Sequence, residues 1–333
     1  MPDAPRVYVP APRPFVPPAS PPVADPLAGL NAAQREAVLH GDGPLLVVAG
    51  AGTGKTRTLV HRVAQLVARG VPPERILLLT FTRRAAQEML ARAERLCGPA
   101  GRRVQGGTFH GTAHRLLRRF GQAAGVAPSF TVLDQGDAED LMQLARTAAG
   151  HAEVKAERGR RQADRFPKKE TLARVYSRHV NTEQPVARIL ADEYPQFAPR
   201  AEEVLGVFRV YAERKAERNL VDYDDLLLFW ATMLEASPAL GRQIAALYDH
   251  VLVDEYQDTN VLQARILAGM CPGAEAGGHR NVTAVGDDAQ GIYGFRGAHH
   301  GNILEFPQRF PGTRVVALEE NYRSVQPVLD VAN

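Results

Sequence analysis

One stretch of this 333-residue sequence restricts its fold more than any other. The apolar run Leu45-Leu46-Val47-Val48 leads into Ala49-Gly50-Ala51-Gly52-Thr53-Gly54-Lys55-Thr56, after which the pattern turns helical. A buried strand, a glycine-rich loop and a helix N-terminus, in that order, let backbone N–H groups curl around an anion while the helix dipole adds its pull. Ala49 stands where the general phosphate-loop pattern has its first glycine. In such a loop Lys55 is expected to reach the β- and γ-phosphates of a nucleotide, and Thr56 Oγ to ligate Mg²⁺.

Short apolar runs recur at Ile76-Leu77-Leu78-Leu79, Val251-Leu252-Val253, Val282-Thr283-Ala284-Val285 and Val315-Val316-Ala317-Leu318. Several lead into helical stretches, which predicts a parallel sheet covered on both faces with its ligands at the carboxyl ends of the strands. The third run ends in Asp254-Glu255. A carboxylate there is costly unless it meets a cation. Asp254 is therefore expected to hold Mg²⁺, largely through water, and Glu255 to orient and activate an attacking water. The bland alternative is a solvated acidic pair.

Residues 1–27 carry ten of the 24 prolines and read as a disordered or polyproline-like tail. Between residues 112 and 245 the strand signal disappears, and helices rich in Arg, Ala, Leu and Glu are broken near Pro128, Gly150, Pro185 and Pro195. Cys97 and Cys271 stand far apart in no metal spacing, which fits a reduced protein. No apolar run has the length of a membrane span and no signal-peptide core is present, so a cytoplasmic protein with no membrane partner is expected. The formal charge of +3 permits a nucleic-acid partner without requiring one.

Further blocks lie in order along the chain. They are Leu30-Asn31-Ala32-Ala33-Gln34, Thr80-Phe81-Thr82-Arg83-Arg84, Gly107-Thr108-Phe109-His110, Val221-Asp222-Tyr223-Asp224-Asp225, Asp254-Glu255-Tyr256-Gln257-Asp258-Thr259-Asn260, Gly286-Asp287-Asp288-Ala289-Gln290, Tyr293-Gly294-Phe295-Arg296, and Asn321-Tyr322-Arg323. Across roughly residues 29–333 the sequence resembles superfamily 1A DNA helicases of the UvrD/Rep/PcrA group. The resemblance implies an α/β fold: a P-loop, RecA-like parallel sheet with helices on both faces, plus an inserted, mostly helical domain. It divides the chain into a RecA-like domain at 28–111 and 246–318, a helical insert at 112–245, and the start of a second RecA-like domain at 319–333.

The same resemblance implies an ATP-dependent 3′–5′ DNA helicase or translocase that uses ATP and Mg²⁺. Single-stranded DNA and single–double-strand junctions are its implied partners, with repair or replication proteins beside them and a nucleoid-associated location. Gln34 would read the adenine edge, Tyr322 would stack on adenine, Arg57 would join the loop in binding the nucleotide, Gln290 would sense the γ-phosphate, and Arg323 would reach that phosphate from across a cleft. Lys55, Glu255, Gln290 and Arg323 form the implied catalytic set. Phe81, Thr82, Arg83, His110, Tyr293, Phe295 and Arg296 would meet DNA. Aromatic rings offer stacking surfaces worth on the order of 1–3 kcal/mol per base, and arginines follow phosphates.

Several alternatives stay open at this level. Phe109 fits core or platform, and His110 fits a DNA contact or a structural histidine. Asp222, Asp224 and Asp225 read as a helix-start cap with solvated charges more readily than as a metal site. On the resemblance the chain ends early in the second motor domain, so weak activity alone is expected. A binding module without turnover, or the motor of a helicase–nuclease, are the competing readings.

Overall fold

The computed structural model describes residues 25–151, 166–287, 290 and 301–323. Six strands make one sheet: β1 (Leu45–Ala49), β2 (Ile76–Thr80), β3 (Gln105–Thr108), β6 (His250–Val253), β7 (Val282–Gly286) and β8 (Arg314–Leu318). Their order is β3-β2-β6-β7-β1-β8, and every neighbouring pair is parallel. Parallel strands need crossovers, and the helices that supply them cover both faces.

Alternation along the strands sends side chains to two cores. Leu45, Val47, Ile76, Leu78, Leu252 and Val285 pack with Leu59, Val63 and Leu66 of α2 (Lys55–Ala68) and Met89 of α3 (Arg83–Cys97). Leu46, Leu77, Leu79, Val251, Val253 and Ala284 face the other way. They meet α4 (Phe109–Phe120), α9 (Tyr223–Glu235), α11 (Val261–Met270) and α12 (Asn302–Arg309). The runs of β1, β2, β6 and β7 are apolar because neither face is wetted, whereas the edge strand β8 exposes Val315 and Ala317 on one side. Ahead of β1, α1 (Ala32–Leu39) opens with a reciprocal capping box between Asn31 and Gln34.

A third core belongs to α5 (Gln135–Ala148), α6 (Lys169–Thr182), α7 (Val186–Glu193) and α8 (Ala201–Glu217), closed around Met142, Leu172, Leu190, Val207 and Tyr211. A two-residue parallel pair, β4 (Thr131–Val132) with β5 (Leu220–Val221), joins the two ends of this helical region. No strand signal is visible there in the sequence, since two residues are too short to show alternation. Helices α4 and α9, together with the short α10 (Pro238–Ala245), lie within the stretch 112–245 or overlap it. Yet Leu116, Trp230 and Ile244 belong to the sheet's second core. Helical periodicity shows that a face is buried without showing against which core. The free cysteines Cys97 and Cys271 are both buried. Among the described residues, no helix is long and apolar enough to cross a membrane.

Candidate functional site

Because all six strands run the same way, their carboxyl ends open on one edge, and the sequence blocks gather there. The loop after β1 is held in shape by glycine. Gly52 and Gly54 have φ of +81° and +91°, a region that costs other residues strain. A Cβ on Gly54 would stand 2.7 Å from Gln34 Nε2, and one on Gly52 would stand 2.7 Å from Arg323 Cβ. Thr53 Oγ1 donates to Gly50 O at 2.8 Å. Gln34 Nε2 donates to Thr53 O at 2.9 Å while Gln34 Oε1 accepts from Asn31 N. The Gln34 amide is thus spent on the loop and on its own helix cap, at 1% exposure, rather than on the cleft. Ala49 is buried within β1, beside Leu318.

Lys55 opens α2 and is nearly buried; its Nζ lies 3.2 Å from Glu255 Oε2 and 3.4 Å from Gln290 Oε1. Asp254 follows β6, and its Oδ1 is buried with no hydrogen-bond partner. Burial, and then the charge of Glu255, push the Asp254 carboxyl up to about 7. Asp258 is raised to about 6 by the same two causes. Glu255 sits at φ +51°, a left-handed conformation that costs a non-glycine residue on the order of 1–3 kcal/mol. Its Oε2 accepts from Gln257 Nε2 at 2.7 Å, and Gln257 Oε1 accepts from Asp287 N at 3.1 Å. Gln290 Nε2 donates to Asp287 Oδ2.

These groups border a cleft of about 460 Å³. Ala51, Gly52, Gly54, Lys55, Thr56 and Arg57 form its floor, with Asp254, Glu255 and Gln290 beside them. Tyr322 and Arg323 stand over the loop. Tyr322 N donates to Gly52 O at 2.9 Å, and Asn321 Nδ2 donates to Ala51 O at 2.7 Å. The Tyr322 hydroxyl accepts from Asn31 Nδ2 at 2.8 Å and donates to Glu320 Oε2 at 2.6 Å. Arg57 is exposed and donates to Gly29 O at 2.9 Å. Such a floor can hold a chain of phosphates through loop N–H groups and one ammonium. Thr56 and the unpartnered Asp254 oxygen offer the hard oxygen ligands that Mg²⁺ takes.

A second cluster lies along the same edge, past β2 and β3. Thr82 caps α3, accepting from Ala85 N at 3.1 Å, and Arg83 is exposed beside it. Phe81 is half-buried with its ring 6.0 Å from Phe109. Phe109 itself is 1% exposed and also touches Trp230, so of its two readings it takes the core. His110 meets Tyr223 edge-on at 5.9 Å, and burial pulls its imidazole down to about 4. A neutral ring offers hydrogen bonds and stacking but no charge to a phosphate. Tyr293, Phe295 and Arg296 lie outside the described residues.

The family model for the UvrD/REP helicase N-terminal domain matches residues 30–311. The chain belongs to the UvrD/REP helicase family. It is 37% identical over 330 residues to the ATP-dependent DNA helicase UvrD1 of Mycobacterium tuberculosis, covering 95% of this chain and 40% of that protein. Against the ATP-dependent DNA helicase PcrA of Leuconostoc citreum it is 36% identical over 309 residues, 92% of this chain and 38% of the relative. A probable DNA helicase II homolog of Rickettsia felis is 35% identical over 310 residues, 91% and 44% respectively. The chain therefore spans about two fifths of the length of these curated relatives.

Three groups on these two clusters carry no motif in the sequence. Glu88 and Arg92 of α3 pair with each other and line the cleft opposite the loop. Their one signal is the i,i+4 spacing, which any solvated helix face shows. Tyr223, 48% exposed, joins His110 on the second cluster. It was hidden among acidic neighbours.

Proposed function

We propose that this chain binds Mg–ATP in the cleft above the 50–56 loop and single-stranded DNA along Phe81, Thr82, Arg83, His110 and Tyr223. In this reading it is the N-terminal motor portion of a 3′–5′ DNA helicase or translocase acting at single–double-strand junctions. The observation that carries it is Asp254 Oδ1, a buried carboxylate oxygen without a donor, placed beside Lys55 and Thr56. A stable fold tolerates such an atom where a cation completes it.

Lys55 holds the phosphate chain, Thr56 and Asp254 hold the metal, and Glu255 takes the proton of the attacking water. Mg²⁺, when bound, neutralises charge on the phosphate oxygens. Gln290, already on Lys55 and Asp287, sits where the terminal phosphate arrives and carries its presence toward the 291–300 segment. Arg323 approaches from across the cleft, and Tyr322 presents its ring to the base. The domain division follows the same reading: a RecA-like unit at 28–111 and 246–318, a helical unit within 112–245, and a second motor unit opening at 319. Repair or replication proteins are its proposed partners.

The test is a titration with fluorescent Mg–nucleotide. Lys55→Ala is expected to weaken binding by two orders of magnitude or more, on the scale of a lost charge-assisted contact, about 3 kcal/mol. Glu255→Gln is expected to bind nucleotide normally and to abolish whatever hydrolysis the parent chain shows. Unchanged affinity in Lys55→Ala overturns the assignment of the cleft.

A further inference from the structure

The turn that carries Glu255 ends at Asn260, and there it touches the helical region. Asn260 Oδ1 caps α11 by accepting from Gln263 N at 2.8 Å, while its Nδ2 donates to Asn181 Oδ1 at 2.8 Å. Asn181, in the last turn of α6, donates through Nδ2 to Asp224 Oδ1 at 2.6 Å. Ser177 Oγ donates to the same Asp224 oxygen at 3.1 Å. Asp224 is the second residue of α9, immediately after Tyr223, whose ring meets His110. One side-chain amide therefore bridges the carboxylate turn and the start of the helix that presents Tyr223.

The two ends of this bridge differ in character. At one end the backbone is held in the left-handed conformation at Glu255, which persists only while its surroundings hold it there. A change at the cleft that relaxes Glu255 moves the 255–260 turn before anything else. At the other end the half-buried Asp224 is held by two donors, so a shift of Asn181 is passed to the first turn of α9. The same seam is also held by Arg265 of α11, which pairs with Glu235 at the end of α9 and with Glu183, two residues past Asn181. That pair of contacts anchors the end of α9 remote from Asp224, while at the end of α6 it stands beside Asn181, which alone carries the line from Asn260 to Asp224.

Resting on the ATP and single-stranded DNA reading above, we propose that Asn181 is a positioning residue that couples the two faces, linking the Glu255 turn through Asn260 to Asp224 and Tyr223. Asn181 touches neither cleft nor DNA cluster. Its removal is therefore read in the coupling between ligands and not in either affinity alone.

The experiment measures the affinity of the intact chain for a fluorescent oligothymidylate, with and without saturating Mg–adenylyl imidodiphosphate. The parent chain is expected to show a ratio of at least about fivefold between the two conditions, the low end of common coupling factors. Asn181→Ala is expected to keep each separate affinity within about twofold and to bring the ratio to one. Ser177→Ala removes a donor to Asp224 and a 3.3 Å contact with Asn181 Nδ2, but keeps the Asn181 bonds to Ser177 O, Asp224 and Asn260, and it is expected to keep the parent ratio. A parent-like ratio in Asn181→Ala, an equal loss in Ser177→Ala, or a parent ratio of one with both ligands bound overturns the inference. Failure of the parent chain to bind either ligand overturns the reading beneath it, and the inference falls with it.

Discussion

At the scale of single residues, the cleft concentrates its instability in one buried carboxyl, Asp254. Its carboxyl is raised from the usual range to about 7 by burial and by Glu255. The folded chain then holds a proton that the unfolded chain releases near pH 4, so this residue's contribution is fully present below that pH. It is lost as pH rises toward 7. A shift of about three pH units corresponds to a few kcal/mol at most, roughly 1.4 per unit. Asp254→Asn is accordingly expected to raise the melting temperature of the ligand-free chain at pH 8, and to flatten the decline in stability between pH 4 and 7. It should also remove the Mg²⁺ dependence of nucleotide binding. Thermal melts across that pH range check the first two, and a melting temperature lowered at pH 8 contradicts them. Lys55, Thr56, Asp254 and Glu255 were legible in the sequence because each motif is contiguous and follows an apolar strand. The Gln34 amide was not, because its partners are set by how α1 docks under the loop. Arg92 and Tyr223 escaped for a related reason: a side chain's neighbours across a cleft leave no trace in its own stretch of sequence.

At the scale of elements, the start of α9 shows how a correct local reading can carry the wrong environment. Asp222 caps the helix and forms a reciprocal box with Asp225, as their spacing predicts. The charges are not solvated, however. Asp222 and Asp225 are each about 5% exposed, and Lys215 of α8 lies 2.6 Å from both. Burial lowers the Lys215 ammonium, yet the two carboxylates outweigh it and hold it above its ordinary range. Tyr211 adds a hydroxyl to Asp222 at 2.8 Å. Lys215→Met is expected to leave two like charges buried together and to cost about 3–5 kcal/mol of stability, read as a lowered denaturant midpoint. A loss under 1 kcal/mol means that solvent reaches the pair. Strand β3 has the opposite history. Gln105-Gly106-Gly107-Thr108 carries no apolar run, yet it pairs with β2. A Cβ on Gly106 would stand 2.9 Å from Leu90, so glycine lets α3 lie close over this edge strand. The five apolar runs named from sequence are all strands of the sheet; four are buried on both faces and so must be apolar throughout, while the edge strand β8 exposes Val315 and Ala317.

At the scale of the whole molecule, two cores lie on opposite faces of one parallel sheet and a third belongs to the helical region, and both proposed ligand surfaces lie at the carboxyl edge of the strands. The cleft joins residues far apart in the chain, from Asn31 through the 50–56 loop and Asp254 to Tyr322 and Arg323. A ligand there ties α1, β1, β6 and the segment after β8 into one unit. Ligand that binds only the folded state stabilises it in proportion to the logarithm of its concentration over Kd, about 2.7 kcal/mol at a hundredfold excess. Mg–adenylyl imidodiphosphate is therefore expected to raise the melting temperature by several degrees, on the scale of about 2–4 °C per kcal/mol or somewhat less for a chain this long. Omitting Mg²⁺, or using Lys55→Ala, is expected to remove most of the rise. Oligothymidylate should give a smaller rise that shrinks with added salt, because single-strand binding releases counterions with a slope of about −0.7 per phosphate contacted. Added together, the two ligands should stabilise the parent chain by an amount that differs from the sum of their separate effects. In Asn181→Ala the two effects should simply add. Scanning calorimetry with each ligand, both and neither decides the matter. Additive stabilisation in the parent chain would mean that the cleft and the Tyr223 face, though built on one sheet edge, act independently.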